Sequence, residues 1–147
     1  MRFFLILFLA LCPLLAHAAD LAVFDERTRV LPLGEHMAVF EDVRGDKTID
    51  DVTSSALQGS FRPHDKAVLN AGYSRSAFWL RIDLQYRPRG MASGNPQSWL
   101  LELAYPPLDH LELYEEGGDG RFHLSHRTGD ALPFSSREIR QNNYLFT

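Results

Sequence analysis

The feature that most constrains this chain is a strict alternation over residues 80–86. Leu80, Ile82, Leu84 and Tyr86 fall on one side, and Arg81, Asp83 and Gln85 on the other. Successive side chains leave a strand on opposite faces, so a period of two over this length predicts a half-buried β-strand. The apolar stripe is expected to face the core. Trp79 shares the Arg81 side and is expected to face outward. Further strands are expected at 36–40, 98–105, 108–115, 122–127 and 142–147, with a short one near 21–24. In the 98–105 strand, Trp99, Leu101, Leu103 and Tyr105 share one face. The run Glu116-Gly117-Gly118-Asp119-Gly120 has the composition of a hairpin loop. One short helix is expected, with Thr48 as N-cap and Asp50 and Asp51 in its first turn, ending near Leu57. Residues 61–72 and 87–97 carry proline and glycine and read as loops. Strands at this spacing, without a βαβ rhythm, predict an all-β fold, an antiparallel β-sandwich or jelly roll.

The first residues stand apart. Arg2 is followed by an apolar run to Ala16, too short to span a bilayer comfortably, and Ala16-His17-Ala18 places small residues at a cleavage site. Residues 1–18 therefore read as a secretory signal peptide, and 19–32 as a lead-in segment. Removing the signal takes away Cys12, the only cysteine, so the exported part forms no disulfide and offers no thiolate for metal or catalysis. It also leaves 14 basic residues against 19 acidic ones, a net charge of −5. Such a domain is a poor nucleic-acid partner, because phosphate attraction needs a basic face. An export signal, an acidic surface and no cysteine fit the bacterial periplasm.

Catalytic patterns are weak. His123 and His126 are three apart on an expected strand and point to opposite faces, so they do not chelate a metal there. No Gly-x-Ser-x-Gly elbow is present. The acidic run around Asp42 and Asp46 supplies oxygen ligands of the kind calcium takes, although its spacing is not that of an EF-hand. Calcium is thus the one cofactor the sequence brings into view, against the plainer reading of a solvated turn. The aromatic residues Tyr73, Trp79 and Tyr105, with Arg81, form the candidate ligand site. An outward Trp beside an Arg suits stacking on a sugar ring and holding a hydroxyl or carboxylate. The competing reading is that a second sheet or the 61–72 loop covers this face.

Three ordered blocks carry a resemblance. They are Asn70-Ala71-Gly72-Tyr73-Ser74-Arg75-Ser76-Ala77-Phe78-Trp79-Leu80-Arg81, then residues 99–114 around Tyr105-Pro106-Pro107-Leu108, then Thr128-Gly129-Asp130-Ala131-Leu132-Pro133-Phe134-Ser135. Together they resemble the type 2 extracellular domain of bacterial seven-transmembrane receptors with diverse intracellular signalling modules, over residues 33–147. The resemblance implies a periplasmic sensor domain with a jelly-roll β-sandwich similar to carbohydrate-binding modules. It also implies a small-molecule or glycan ligand and no catalytic role for the domain. In the full receptor it implies inner-membrane anchoring through seven C-terminal helices, an output of histidine kinase or diguanylate cyclase type, and a homodimer. The chain breaks off in Tyr144-Leu145-Phe146-Thr147 in the middle of an expected strand, so the last strand or strands, the helices and the output are expected beyond it. The rival classes are a soluble carbohydrate-binding protein, a calcium-responsive sensor and a periplasmic enzyme.

Overall fold

The computed structural model describes residues 21–90 and 98–147. The signal-peptide reading of residues 1–18, the start of the lead-in and most of the 87–97 loop lie outside the described residues. The fold is all-β. Its strands are β1 (Ala22–Phe24), β2 (Met37–Asp42), β3 (Arg62–Pro63), β4 (Ala77–Ile82), β5 (Leu84–Tyr86), β6 (Leu101–Leu103), β7 (Leu111–Glu116), β8 (Phe122–Thr128) and β9 (Tyr144–Phe146). Two helical turns, α1 (Ile49–Thr53) and α2 (Ser55–Gln58), follow β2. Among the described residues the strands form four small sheets, ordered β1-β5, β3-β2-β4, β6-β9 and β7-β8.

The alternating segment forms strand, but it is two strands. It breaks at Asp83, whose carbonyl accepts the Ala22 amide at 2.9 Å. Before the break β4 runs antiparallel to β2, with Phe40 opposite Trp79 and Ala38 opposite Arg81. After it β5 runs parallel to β1, with Ala22 opposite Leu84. One continuous period thus serves two sheets, and one pair is parallel where antiparallel pairing was expected throughout.

The expected inward stripe is also corrected. Leu80, Leu84 and Tyr86 are 41%, 51% and 45% exposed and Ile82 is half-buried, as are Trp79 and Arg81 on the other side. Alternation identifies two faces. Which one is covered depends on what remote segments bring to it.

The expected helix begins where its cap predicts. The Thr48 hydroxyl accepts the Asp51 amide, and the Asp51 carboxylate accepts the Thr48 amide at 2.8 Å, a reciprocal capping box. The helix is interrupted at Ser54, which has extended backbone and whose hydroxyl donates to the Asp51 carbonyl at 2.6 Å. A serine offering its own hydrogen bond to the backbone competes with helix continuation. The result is two short turns in place of one helix. Val52 is buried beneath them.

Among the described residues the other buried apolar side chains are Ala22 of β1, Met37 and Ala38 of β2, and Tyr144 and Phe146 of β9. Tyr144, 1% exposed, donates its hydroxyl to the carbonyls of Pro106 and Leu108 at 2.8 and 3.0 Å. Those carbonyls belong to the second family-like block. The third block docks on the same turn: the Asp130 amide donates to Leu108 at 2.7 Å and the Ala131 amide to Asp109 at 3.2 Å. Gly129 makes this approach feasible, because a Cβ there would stand 2.1 Å from the Asp109 carbonyl oxygen. Two sequence blocks some twenty residues apart are therefore one packed unit.

Candidate functional site

β4 places Trp79 and Arg81 side by side on one face, two residues apart. Ala38 and Phe40 lie opposite them on β2. The face is roofed from two directions. Phe61, from the loop after α2, sits 5.7 Å from the Phe40 ring, and the Arg81 guanidinium lies 5.3 Å from its centroid. Tyr114 of β7 meets Trp79 at 5.9 Å, with ring planes 35° apart. The Tyr114 hydroxyl donates to Glu112, and that bond to the carboxylate, with burial, pushes its pKa up. The Tyr114 side chain is thus held as a neutral wall.

The polar atoms on this face are unevenly served. Trp79 Nε1 and Arg81 Nε are buried with no hydrogen-bond partner, and so is His36 Nδ1, just before β2. The nearest carboxylate oxygen to Arg81 Nε, Oδ2 of Asp83, stands 3.9 Å away, beyond hydrogen-bond length. Buried donors in folded proteins are nearly always paired, and leaving one unpaired costs roughly 1–3 kcal/mol. Two such donors lie on adjacent same-face positions of one strand.

The other two nominated residues are elsewhere. Tyr73, in the loop before β4, is fully exposed, and Tyr105, after β6, is exposed. Among the described residues neither makes a ring contact with Trp79. Of the four, the fold brings together Trp79 and Arg81.

The acidic loop has a different job. Asp42 is 4% exposed, and its two oxygens accept the amides of Gly45 and Lys47 at 3.0 and 2.8 Å. Asp46 is paired with Arg44 at 2.8 Å and with Lys47 at 2.5 Å. The hydrogen bond to Lys47, with the neighbouring positive charges, holds the Asp46 carboxyl below its usual range. Asp42 thus closes the turn between β2 and α1, and Asp46 is neutralised by its neighbours. Among the described residues no group of three or more His, Cys, Asp or Glu side chains is arranged to hold a metal ion. His123 pairs with Asp119 at 3.1 Å and His126 with Glu138 at 2.9 Å, so the two imidazoles serve separate partners.

The model of one protein family, 7TMR-DISM extracellular 2, matches residues 34–147. The chain belongs to that family. None of the curated proteins compared with it matches. A 7TMR-DISM extracellular 2 domain is the sensor part of a membrane receptor, an exported or periplasmic module. Among the described residues no helix is long and apolar enough to cross a membrane.

In this 7TMR-DISM domain two residues that meet the Trp79–Arg81 face carry no clear signal in the sequence: Phe61 and Tyr114. Phe61 is a lone aromatic residue in a polar, proline-containing loop, which is the one local sign of it. Tyr114 falls on an irregularity in the β7–β8 ladder between Leu113 and Tyr114. The extra residue is Ser125 of β8, between the partners of Leu113 and Tyr114, so it changes what faces Tyr114 across the ladder, and the period of β7 does not reveal it.

Proposed function

We propose that this domain senses a small ligand, a saccharide or a small anion, at the Trp79–Arg81 face, and passes its binding to a receptor output of histidine kinase or diguanylate cyclase type. The observation that carries the site is the pair of buried, unpartnered donors, Trp79 Nε1 and Arg81 Nε, beneath the Phe61 and Tyr114 rings. A ligand oxygen accepting from either donor removes an existing desolvation cost, so its gain exceeds that of an ordinary surface hydrogen bond. The indole supplies an apolar surface and the guanidinium a directional charge. The Phe61 side chain stands over the guanidinium, so ligand entry displaces it, and the movement of the loop after α2 is the first event of the signal. Anchoring through membrane helices and receptor homodimerisation belong to the same reading.

Titration calorimetry of the chain against a glycan panel and against glucuronate tests this. Saturable binding that falls by tenfold or more in Arg81→Gln, with the circular dichroism of the fold unchanged, supports the site. Binding that is indifferent to both Arg81→Gln and Trp79→Phe moves the ligand elsewhere on the domain.

A further inference from the structure

A second surface has the makings of a site, and it is separate from the Trp79–Arg81 face. A hollow of about 590 Å³ lies between the helical turns and the tip of the β7–β8 hairpin. Asp50, Thr53 and Gln58 line it from α1 and α2; Glu116, Gly120, Arg121 and Phe122 line it from the hairpin. It contains charges of both signs. Even so, among the described residues Arg121 pairs with neither carboxylate, and the side chains of Asp50, Glu116 and Arg121 make no ion pair or hydrogen bond.

The contrast with the other hollow is informative. That one, lined by Asp25, Arg87 and Arg89 among others, has its charges spent: Arg89 pairs with Asp25, and Arg87 donates to Gln85 at 2.6 Å. Opposite charges that line one concavity without meeting leave room for a molecule carrying both complements.

Both walls are held in place. The Gly117 amide donates to the Arg121 carbonyl at 2.7 Å, and the Arg121 amide donates to Asp119 at 3.1 Å, so the backbone under Arg121 is fixed. Asp119 is itself held by His123. On the other wall the Thr48–Asp51 capping box fixes the first turn that carries Asp50. With the backbone of both walls fixed, binding has only the side chains to order.

We infer that this hollow binds a zwitterionic α-amino acid with an apolar side chain. The fork of Arg121 takes the carboxylate, Asp50 and Glu116 take the ammonium, and the half-exposed Phe122 ring covers the side chain. Gln58 and Thr53 provide amide and hydroxyl groups at the margin. The site stands whether or not the Trp79–Arg81 reading holds.

The test is titration calorimetry of the full chain with L-leucine, L-leucinamide and N-acetyl-L-leucine. L-Leucine is expected to bind saturably. Leucinamide lacks the carboxylate and N-acetyl-leucine the ammonium, and each is expected to bind at least about tenfold more weakly. Arg121→Gln and the double variant Asp50→Asn/Glu116→Gln are expected to lose at least about tenfold, with circular dichroism unchanged, because all three side chains are at the surface. Trp79→Phe is expected to leave leucine binding intact. No saturable heat with L-leucine overturns the inference. So does binding that survives Arg121→Gln, or binding lost in Trp79→Phe and kept in Arg121→Gln, which assigns the amino acid to the other face.

Discussion

Replacing Trp79 by Phe separates an unpaired buried donor from a paired one. Trp79 Nε1 is buried without a partner, a cost of roughly 1–3 kcal/mol that the phenyl ring does not carry. Against this relief stands the lost contact of the smaller ring, about 1–3 kcal/mol at a half-buried position facing Tyr114 at 5.9 Å. The two terms oppose each other, and Trp79→Phe is expected to change unfolding free energy by less than about 1 kcal/mol. Tyr144→Phe is the control with the opposite arithmetic. It removes a hydroxyl that serves two carbonyls, Pro106 and Leu108, inside a residue 1% exposed. No volume-driven relief accompanies it, and the Pro106 carbonyl is stranded while the Leu108 carbonyl keeps the Asp130 amide, so about 1–3 kcal/mol is lost. Urea denaturation of the chain, followed by far-ultraviolet circular dichroism, measures both. If Trp79→Phe costs as much as Tyr144→Phe or more, the indole N–H is satisfied in the folded protein. That atom then needs no ligand acceptor.

Three further outcomes follow from the geometry. Gly129→Ala is expected to destabilise by several kcal/mol or prevent folding, because its φ of 150° is unfavourable for alanine and the new Cβ would meet the Asp109 carbonyl at 2.1 Å; thermal melting of the variant checks it. The bonds from Thr48 hold the Asp51 carboxyl below its ordinary value of 3.8. Its contribution is therefore complete above that value and disappears as pH falls through the depressed one. Asp51→Asn should shorten the acid-unfolding limb below about pH 4 in a circular dichroism titration and leave the neutral plateau nearly parallel. Calcium at millimolar concentration is expected to leave the melting temperature unchanged, since the Asp42 oxygens are bound to the Gly45 and Lys47 amides and Asp46 is paired with Arg44 and Lys47. A calcium-dependent rise lost in Asp46→Asn would restore the acidic loop as a metal site.

Local rules were legible in the residues alone. The strand character of 77–86, the Thr48 cap and the hairpin loop at 116–120 all depend on neighbours a few positions away, and each is where the chain places it. The all-β class and the family followed from the sum of such signals in order along the chain. The tertiary structure decided which side of the Trp79 strand is covered. Phe61 and Tyr114 lie 18 and 35 positions from Trp79, and no period within the strand records them. It also decided that the alternating segment ends one sheet and begins another at Asp83, since that break answers to β1 and β2, not to the segment's own sequence. The acidic loop shows the same division. Its composition reads as a cation site, and only the paths of the Gly45 and Lys47 amides reveal that Asp42 closes a turn. Propensity and periodicity are sums over local positions, whereas burial and hydrogen-bond partners are set by whichever distant segment arrives.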